Sequence, residues 1–321
     1  MTPTIRNLAP WTDRTGRFSV FRAAVLVAVL VPAADLVRRF ALGDLGPRPL
    51  AEAIHVSGDW AIRLLLVAVA ITPLRHLSGS TRLIGVRRMI GLAALAHAVL
   101  HVALWAADLG FAPATLAFEI AVRPYLTLGF VALAGLAAMG ATSSDAMVRR
   151  LGGERWKRVH RLVHPILILA LVHLFLQSKL DLAQGALLTG LAFAGLALRM
   201  MIDRRAALGL GAVAVATATA FVFAAASEAV WFAAKTGRAV APLVEANFAF
   251  AARIAPAWWA AAIALAVAAA AVAWRGVGRR RPPPLRGGVT RAAMAAEDAT
   301  PISRRRPRVD LDRVRRFTPS V

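Results

Sequence analysis

Residues 86–108, V-R-R-M-I-G-L-A-A-L-A-H-A-V-L-H-V-A-L-W-A-A-D, decide the fold. Helical rise is ~1.5 Å per residue, so the apolar part of this stretch is long enough to cross a hydrocarbon layer ~30 Å thick. An arginine pair opens it, and His97 and His101 sit inside it one helical turn apart. Its counterpart is 155–177, R-W-K-R-V-H-R-L-V-H-P-I-L-I-L-A-L-V-H-L-F-L-Q, which carries His160, His164 and His173. Imidazole is expensive to place in hydrocarbon and has a functional partner when it is there, so chemistry is to be sought on these two segments.

Composition sets the class around them. Hydrophobic residues make up 59% of the 321-residue chain and come in long runs, which excludes an ordinary soluble domain. The fold class is an all-α polytopic membrane helix bundle. Apolar runs at about 18–37, 58–74 and 86–108, a fourth that 121–129 leads into and that ends near 142, and runs at about 155–177, 183–202, 208–233 and 254–274 give eight transmembrane helices. The first run lacks a convincing cleavage site, since V-P-A-A-D at 31–35 is a poor one, and it reads as a retained anchor.

Lys plus Arg number 39 against 17 Asp plus Glu, a net charge of +22. The arginines flank apolar runs, so they read as topology signals and contacts with anionic lipid, with no nucleic-acid partner. Basic residues concentrate before the first span, at 75–88, at 149–161, at 199–205 and in the tail. By the positive-inside rule both termini are cytoplasmic, which an even number of spans satisfies. The tail, 275–321, holds 13 arginines and four acids; its low hydrophobicity, prolines and like charge predict disorder near an anionic membrane face. The expected organisation is therefore a cytoplasmic N-terminus (1–17), a transmembrane core that carries the histidines (18–206), two Ala-rich spans (207–274) and the basic tail (275–321).

The chain has no cysteine, which excludes disulfides, thiolate-bound iron–sulfur clusters, covalent c-type heme and thiol catalysis, and leaves histidine as the good soft-metal ligand. The third and fifth spans run in the same direction. His101 lies about 15 residues beyond residue 86 and His173 about 15 beyond residue 158, so each sits about 20 Å from the cytoplasmic end. Two neutral imidazoles at one depth on neighbouring helices in apolar surroundings suit the axial positions of a b-type heme. His160 lies ~20 Å below His173, where a second heme would sit, but the matching positions on the third span are Arg87 and Arg88. His97 and His164 read as neighbours along the same seam, and His76 as interfacial. Arg87, Arg88, Arg155, Lys157 and Arg158 are placed to anchor the helices at the headgroups, and also to pair with heme propionates or a flavin phosphate.

Several motifs together resemble a known family: G-D-W-A-I-R-L-L-L at 58–66, I-T-P-L-R-H-L at 71–77, V-R-R-M-I-G-L at 86–92, V-L-H at 99–101, R-P-Y-L-T-L-G at 123–129 and R-R-L-G-G-E-R-W-K-R-V-H-R-L-V at 149–163. Over about 18–203 the sequence is similar to the MsrQ family, heme-binding membrane subunits of the bacterial periplasmic methionine sulfoxide reductase system, within the ferric-reductase-like transmembrane group. The resemblance implies a six-helix core in the inner membrane that binds heme b, and FMN besides. It implies electrons drawn from quinol or a cytosolic flavin reductase and delivered to a periplasmic molybdopterin-containing methionine sulfoxide reductase subunit. The family's histidines fall on His101, His160 and His173. On this reading the chain is an electron-transfer subunit rather than a complete enzyme, and the last two spans lie outside the family core. No Gly-rich phosphate loop follows Ala206, so nicotinamide electrons would have to be collected by another protein. The rival readings are a stand-alone transmembrane ferric or quinone reductase, and a cofactor-free transporter.

Overall fold

A computed structural model describes residues 9–13, 15–178, 181–248 and 254–280, and there the apolar runs are helices. In chain order they are α1 (Val20–Ala41), α2 (Pro49–Ser78), α3 (Arg87–Asp108), α4 (Pro113–Val122), α5 (Pro124–Ala141), α6 (Asp145–Leu151), α7 (Gly153–Arg161), α8 (Val163–Gln177), α9 (Ala183–Asp203), α10 (Leu210–Thr236), α11 (Val240–Ala246) and α12 (Pro256–Arg280). Eight segments are long and apolar enough to cross a membrane, α7 and α8 together making one of them. The protein is thus a multi-pass all-α membrane bundle. Among the described residues the strand-like pairing is a single bridge, Thr12 to Phe18, in the turn before α1.

The described residues up to 278 form one compact unit, to which α10 and α12 up to that residue belong together with the earlier helices. From residue 281 the expected basic tail lies outside the described residues, as do residues 1–8 of the expected N-terminal segment. The central element is α2, the most buried of the spans, which packs on α1, α3, α8 and α9. Its inward residues Leu64, Leu65, Ala68, Val69 and Ile71 meet Ile90 and Ala94 of α3, Leu136 of α5, and Leu167 and Leu171 of α8 in one core. A second core joins Leu77 to Ala194 and Leu198 of α9 and to alanines of α10 and α12. Its small side chains let helix backbones approach closely, the usual route to tight association where water exclusion supplies no drive. At Gly190 of α9 an added Cβ would run into the carbonyl of Ala220 and stand 2.9 Å from the Cβ of Ala224 and 3.0 Å from that of Ala260.

Three helices depart from the sequence reading. The second span begins at Pro49, not near residue 58: proline at the first helical position is preorganised for a helix, and Ala53 and Ser57 in the mixed turns that follow it are buried. The helix stops at Gly79, whose φ of +68° disfavours other residues. The connection expected to surface at 111–123 contains α4, a short apolar helix that opens with Pro113 at its first position. Finally, the fifth span is broken at Leu162 between α7 and α8. Pro165 has no N–H to offer the carbonyl four residues back, that of Arg161. His164 Nδ1 lies 3.1 Å from that carbonyl and satisfies it. The break separates His160 on α7 from His173 on α8.

Candidate functional site

His101 of α3 and His173 of α8 face each other across the bundle, ring centroids 6.4 Å apart and ring planes at 83°. Each ring is fixed by a backbone carbonyl of a third and a fourth helix. His101 Nδ1 donates to Ile54 O of α2 at 2.7 Å, and His173 Nδ1 donates to Tyr125 O of α5 at 2.7 Å. A carbonyl can only accept, so the proton of each neutral ring is on Nδ1 and the lone pair is on Nε2. That tautomer and that outer partner are what a metal-ligating imidazole requires.

Two glycines make room for the rings. A Cβ at Gly58 would stand 2.8 Å from His101 Nδ1, and one at Gly129 would stand 2.9 Å from both Cε1 and Nδ1 of His173. Both glycines lie one turn beyond the carbonyl that holds the same ring, Ile54 and Tyr125 respectively. Each histidine therefore lies flat against a bare turn of helix, with its hydrogen bond at one end of that turn.

The rings border a cavity of about 210 Å³ whose walls are chiefly apolar, with Leu65, Leu133, Leu136 and Ile166 among them. Polar groups enter it from one end: His55 and Asp59 of α2, Gln177 at the end of α8, and Arg123 and Tyr125 at the start of α5. Asp59 pairs with Arg63 at 3.8 Å. Arg123 pairs with Glu119 at 2.5 Å and donates to the Tyr125 hydroxyl at 3.1 Å. The Tyr125 hydroxyl, and then Glu119, hold the Arg123 guanidinium above its already high ordinary pKa, so it stays cationic. Tyr125 thus serves two neighbours, Arg123 through its hydroxyl and His173 through its carbonyl.

The other histidines are elsewhere. His97 is buried on α3 outside the cavity lining, with its Nδ1 lacking a hydrogen-bond partner among the described residues. His76 Nδ1 turns back on Thr72 O of its own helix, 2.9 Å away. His160 stacks on Trp156, centroids 4.0 Å apart, with its Nδ1 on Trp156 O at 3.1 Å and its Nε2 3.5 Å from Ser143 Oγ. Its ring meets no second histidine ring among the described residues, and the cations Arg87 and Arg88 are its charged neighbours. Arg88 is paired with Asp145 of α6, and Lys157 with Glu154 at 2.8 Å. Arg87 has no ion pair among the described residues and lies near Arg199 of α9; Arg158 is exposed. The structure brings together His101 and His173, and does not bring His160, Lys157 or Arg158 to them.

Sequence reasoning overlooked His55, Asp59, Gly58, Gly129 and the two carbonyls. For Gly129 a signal existed, since it interrupts a helix-length apolar run, where a glycine has a packing reason; Gly58 heads its run and gave none. For the carbonyls there was none, because any backbone can supply one.

Among the described residues no cluster of three or more His, Cys, Asp or Glu side chains could hold a bare metal ion. A pair of opposed imidazoles suits instead a metal that brings its own equatorial ligands. The 6.4 Å between the two ring centroids would leave room for such a metal, which His101 and His173 would hold.

Comparison with known proteins gives the same neighbourhood. The family model for "Ferric reductase like transmembrane component" matches residues 57–171. A protein-methionine-sulfoxide reductase heme-binding subunit MsrQ from Ralstonia nicotianae is 38% identical over 182 residues, 56% of this chain and 84% of that protein. The protein of the same name from Rhodospirillum rubrum is 38% identical over 190 residues, 59% of this chain and 89% of the relative. That from Xanthomonas campestris pv. campestris is 42% identical over 179 residues, 53% and 81% of the two chains. No solved structure matches.

Proposed function

The chain belongs to the MsrQ family, and from that premise we propose that it is a heme b electron-transfer subunit of a bacterial inner membrane, with both termini cytoplasmic. The observation that carries the reading is the His101–His173 pair, each ring tautomerically fixed by a carbonyl and seated on a glycine. The residues fit a heme: two imidazoles held through Nδ1, which leaves Nε2 of each to ligate, an apolar cavity that both rings border, and the cation Arg123, paired with Glu119, at its polar end. Heme, when bound, supplies reversible one-electron exchange, a chemistry no side chain of this cysteine-free chain offers.

The chain's own contribution is position and environment. Ile54 O and Tyr125 O hold the two imidazoles as neutral donors, which raises their basicity and fixes ring orientation. Apolar walls keep water from the cavity, and Asp59 and Arg123 place opposite charges at its polar end. On α3 this site lies about 14 residues, ~20 Å, from Arg87, and so in the half of the bilayer away from the arginine-rich ends. That depth favours delivery to a periplasmic acceptor, a molybdopterin-containing methionine sulfoxide reductase subunit, with electrons entering from quinol or a cytosolic flavin reductase. The basic tail is proposed to meet anionic lipid.

At the Arg87 end, the fit to FMN or to a second heme is poor. Arg88 and Lys157 are committed to carboxylates and His160 to Trp156, so no step is derived through either group.

The test is a reduced-minus-oxidised spectrum of the purified protein alongside His101→Ala and His173→Ala. One heme per chain, lost or converted to high spin in both variants, is expected. A colourless preparation, or a signal untouched by both substitutions, overturns the reading. Reduction of ferric chelates by the purified protein alone would turn it toward a stand-alone reductase.

A further inference from the structure

The family model ends at residue 171, so neither it nor the sequence reading gives α10 a task. The end of α8 supplies one. Phe175, two residues beyond His173, is buried at 2% exposure and points away from the cavity. Its ring lies between α9 and α10. On one side Gly185 leaves room for it, a Cβ there falling 3.0 Å from both Cε1 and Cζ. On the other side the ring of Trp231 lies parallel to it, centroids 5.4 Å apart and planes within 4°. One turn along α10, Lys235 Nζ donates to Phe175 O at 3.2 Å. That carbonyl is in the last turn of α8, where among the described residues no amide of the helix reaches it and the helix dipole favours a cation.

We propose that α10 is the brace of the His173 helix: Trp231 and Lys235 are positioning residues that hold the last turn of α8, and through it the angle at which His173 meets the heme. The proposal rests on the heme reading for its redox consequence, and on Phe175, Trp231 and Lys235 alone for its mechanical one. Without the brace, the last turn of α8 frays. His173 comes immediately before that turn, so its ring loses firm support on one side while Tyr125 O still holds its Nδ1.

The full-length protein is purified in lipid nanodiscs as the unaltered form, Trp231→Ala, Lys235→Met, the conservative Trp231→Phe, and Val230→Ala on the exposed face of α10. The first measurement, amide hydrogen exchange, needs no heme. Exchange over 172–177 is expected to quicken about tenfold in Trp231→Ala, the scale of losing one stacked aromatic pair, and less in Lys235→Met. Trp231→Phe should restore protection, and Val230→Ala should leave it unchanged. The second measurement is carbon monoxide binding and the low-spin resonance signature of the heme. The unaltered heme should resist carbon monoxide, while Trp231→Ala should take it up with a shifted signature. Unchanged exchange at 172–177 in Trp231→Ala and Lys235→Met overturns the brace. Faster exchange with no heme in any form sinks the heme reading and leaves the brace standing. Faster exchange with unaltered carbon monoxide behaviour and signature refutes its control of His173.

Discussion

Adding one methyl group under either histidine should loosen the heme. A Cβ at Gly129 would stand 2.9 Å from Cε1 and Nδ1 of His173 and 3.3 Å from its Nε2; at Gly58 it would stand 2.8 Å from Nδ1 and 3.0 Å from Cε1 of His101. Carbon atoms settle at ~3.5–4.0 Å, so each ring must retreat by roughly 0.6 Å or more. It cannot do so freely, because its Nδ1 is held at 2.7 Å by a carbonyl one turn away on the same helix as the glycine. The retreat either stretches that bond or turns the ring off its rotamer, at ~0.5–1.5 kcal/mol, within an overpacking penalty of ~1–3 kcal/mol. At about 1.4 kcal/mol per decade, that is heme held about 10- to 100-fold more weakly in Gly58→Ala and Gly129→Ala. The assay is heme content per chain, followed by the rate of heme transfer to an excess of apo-globin. The control is Gly91→Ala, on the same helix as His101, where a Cβ meets nothing within 4 Å. If both variants retain heme as well as Gly91→Ala does, the glycines are not seats for the rings.

Three further outcomes follow from features elsewhere. Gly190→Ala drives a methyl into the Ala220 carbonyl and two alanines of the α9–α10–α12 core, so it should lower stability by ~1–3 kcal/mol, read as a fall in the melting temperature of the detergent-solubilised protein. Pro165→Ala returns a donor for the Arg161 carbonyl, which should draw α7 and α8 toward one continuous helix; slower amide exchange over 162–166 would register it, and unchanged exchange would contradict the assigned cause of the break. In the turn before α1, the Thr15 hydroxyl and then the Arg17 N–H hold the Asp13 carboxylate below its ordinary value of 3.8. A depressed carboxylate stabilises above its unfolded pKa and stops doing so as pH falls through the folded one, so this turn should hold at neutral pH and lose that support progressively as pH falls below 3.8. Thr15 and Arg17 amide exchange, corrected for its intrinsic pH dependence, should accelerate there, and Asp13→Asn should flatten the profile.

The bundle was legible because a chain cannot leave backbone groups unpaired in lipid: each long apolar run had to be a helix, and eight runs gave the eight spans. The meeting of His101 and His173 was legible too, since equal rise along two co-directional helices sets equal depth. What holds those rings was hidden. Ile54 and Tyr125 act through their carbonyls, 47 and 48 residues away in sequence from the histidines they hold, and a carbonyl leaves no mark on residue type. His55 was passed over because the second span seemed to begin after it, the turns from Pro49 being too mixed to read as membrane helix. The sequence places His160 and His173 on one apolar stretch; the break at Leu162 puts them on two helices.

Tyr125 is the sole tyrosine of the chain. Its carbonyl carries His173 and its hydroxyl receives Arg123. Biosynthetic replacement of tyrosine by a ring-fluorinated analogue would therefore place one fluorine nucleus in the whole polypeptide, at the joint between the cavity's polar mouth and one of its two imidazoles. A single ¹⁹F line would then report occupancy of the cavity, the oxidation state within it and the arrival of a docking protein at the mouth, with no assignment problem and no cysteine to engineer.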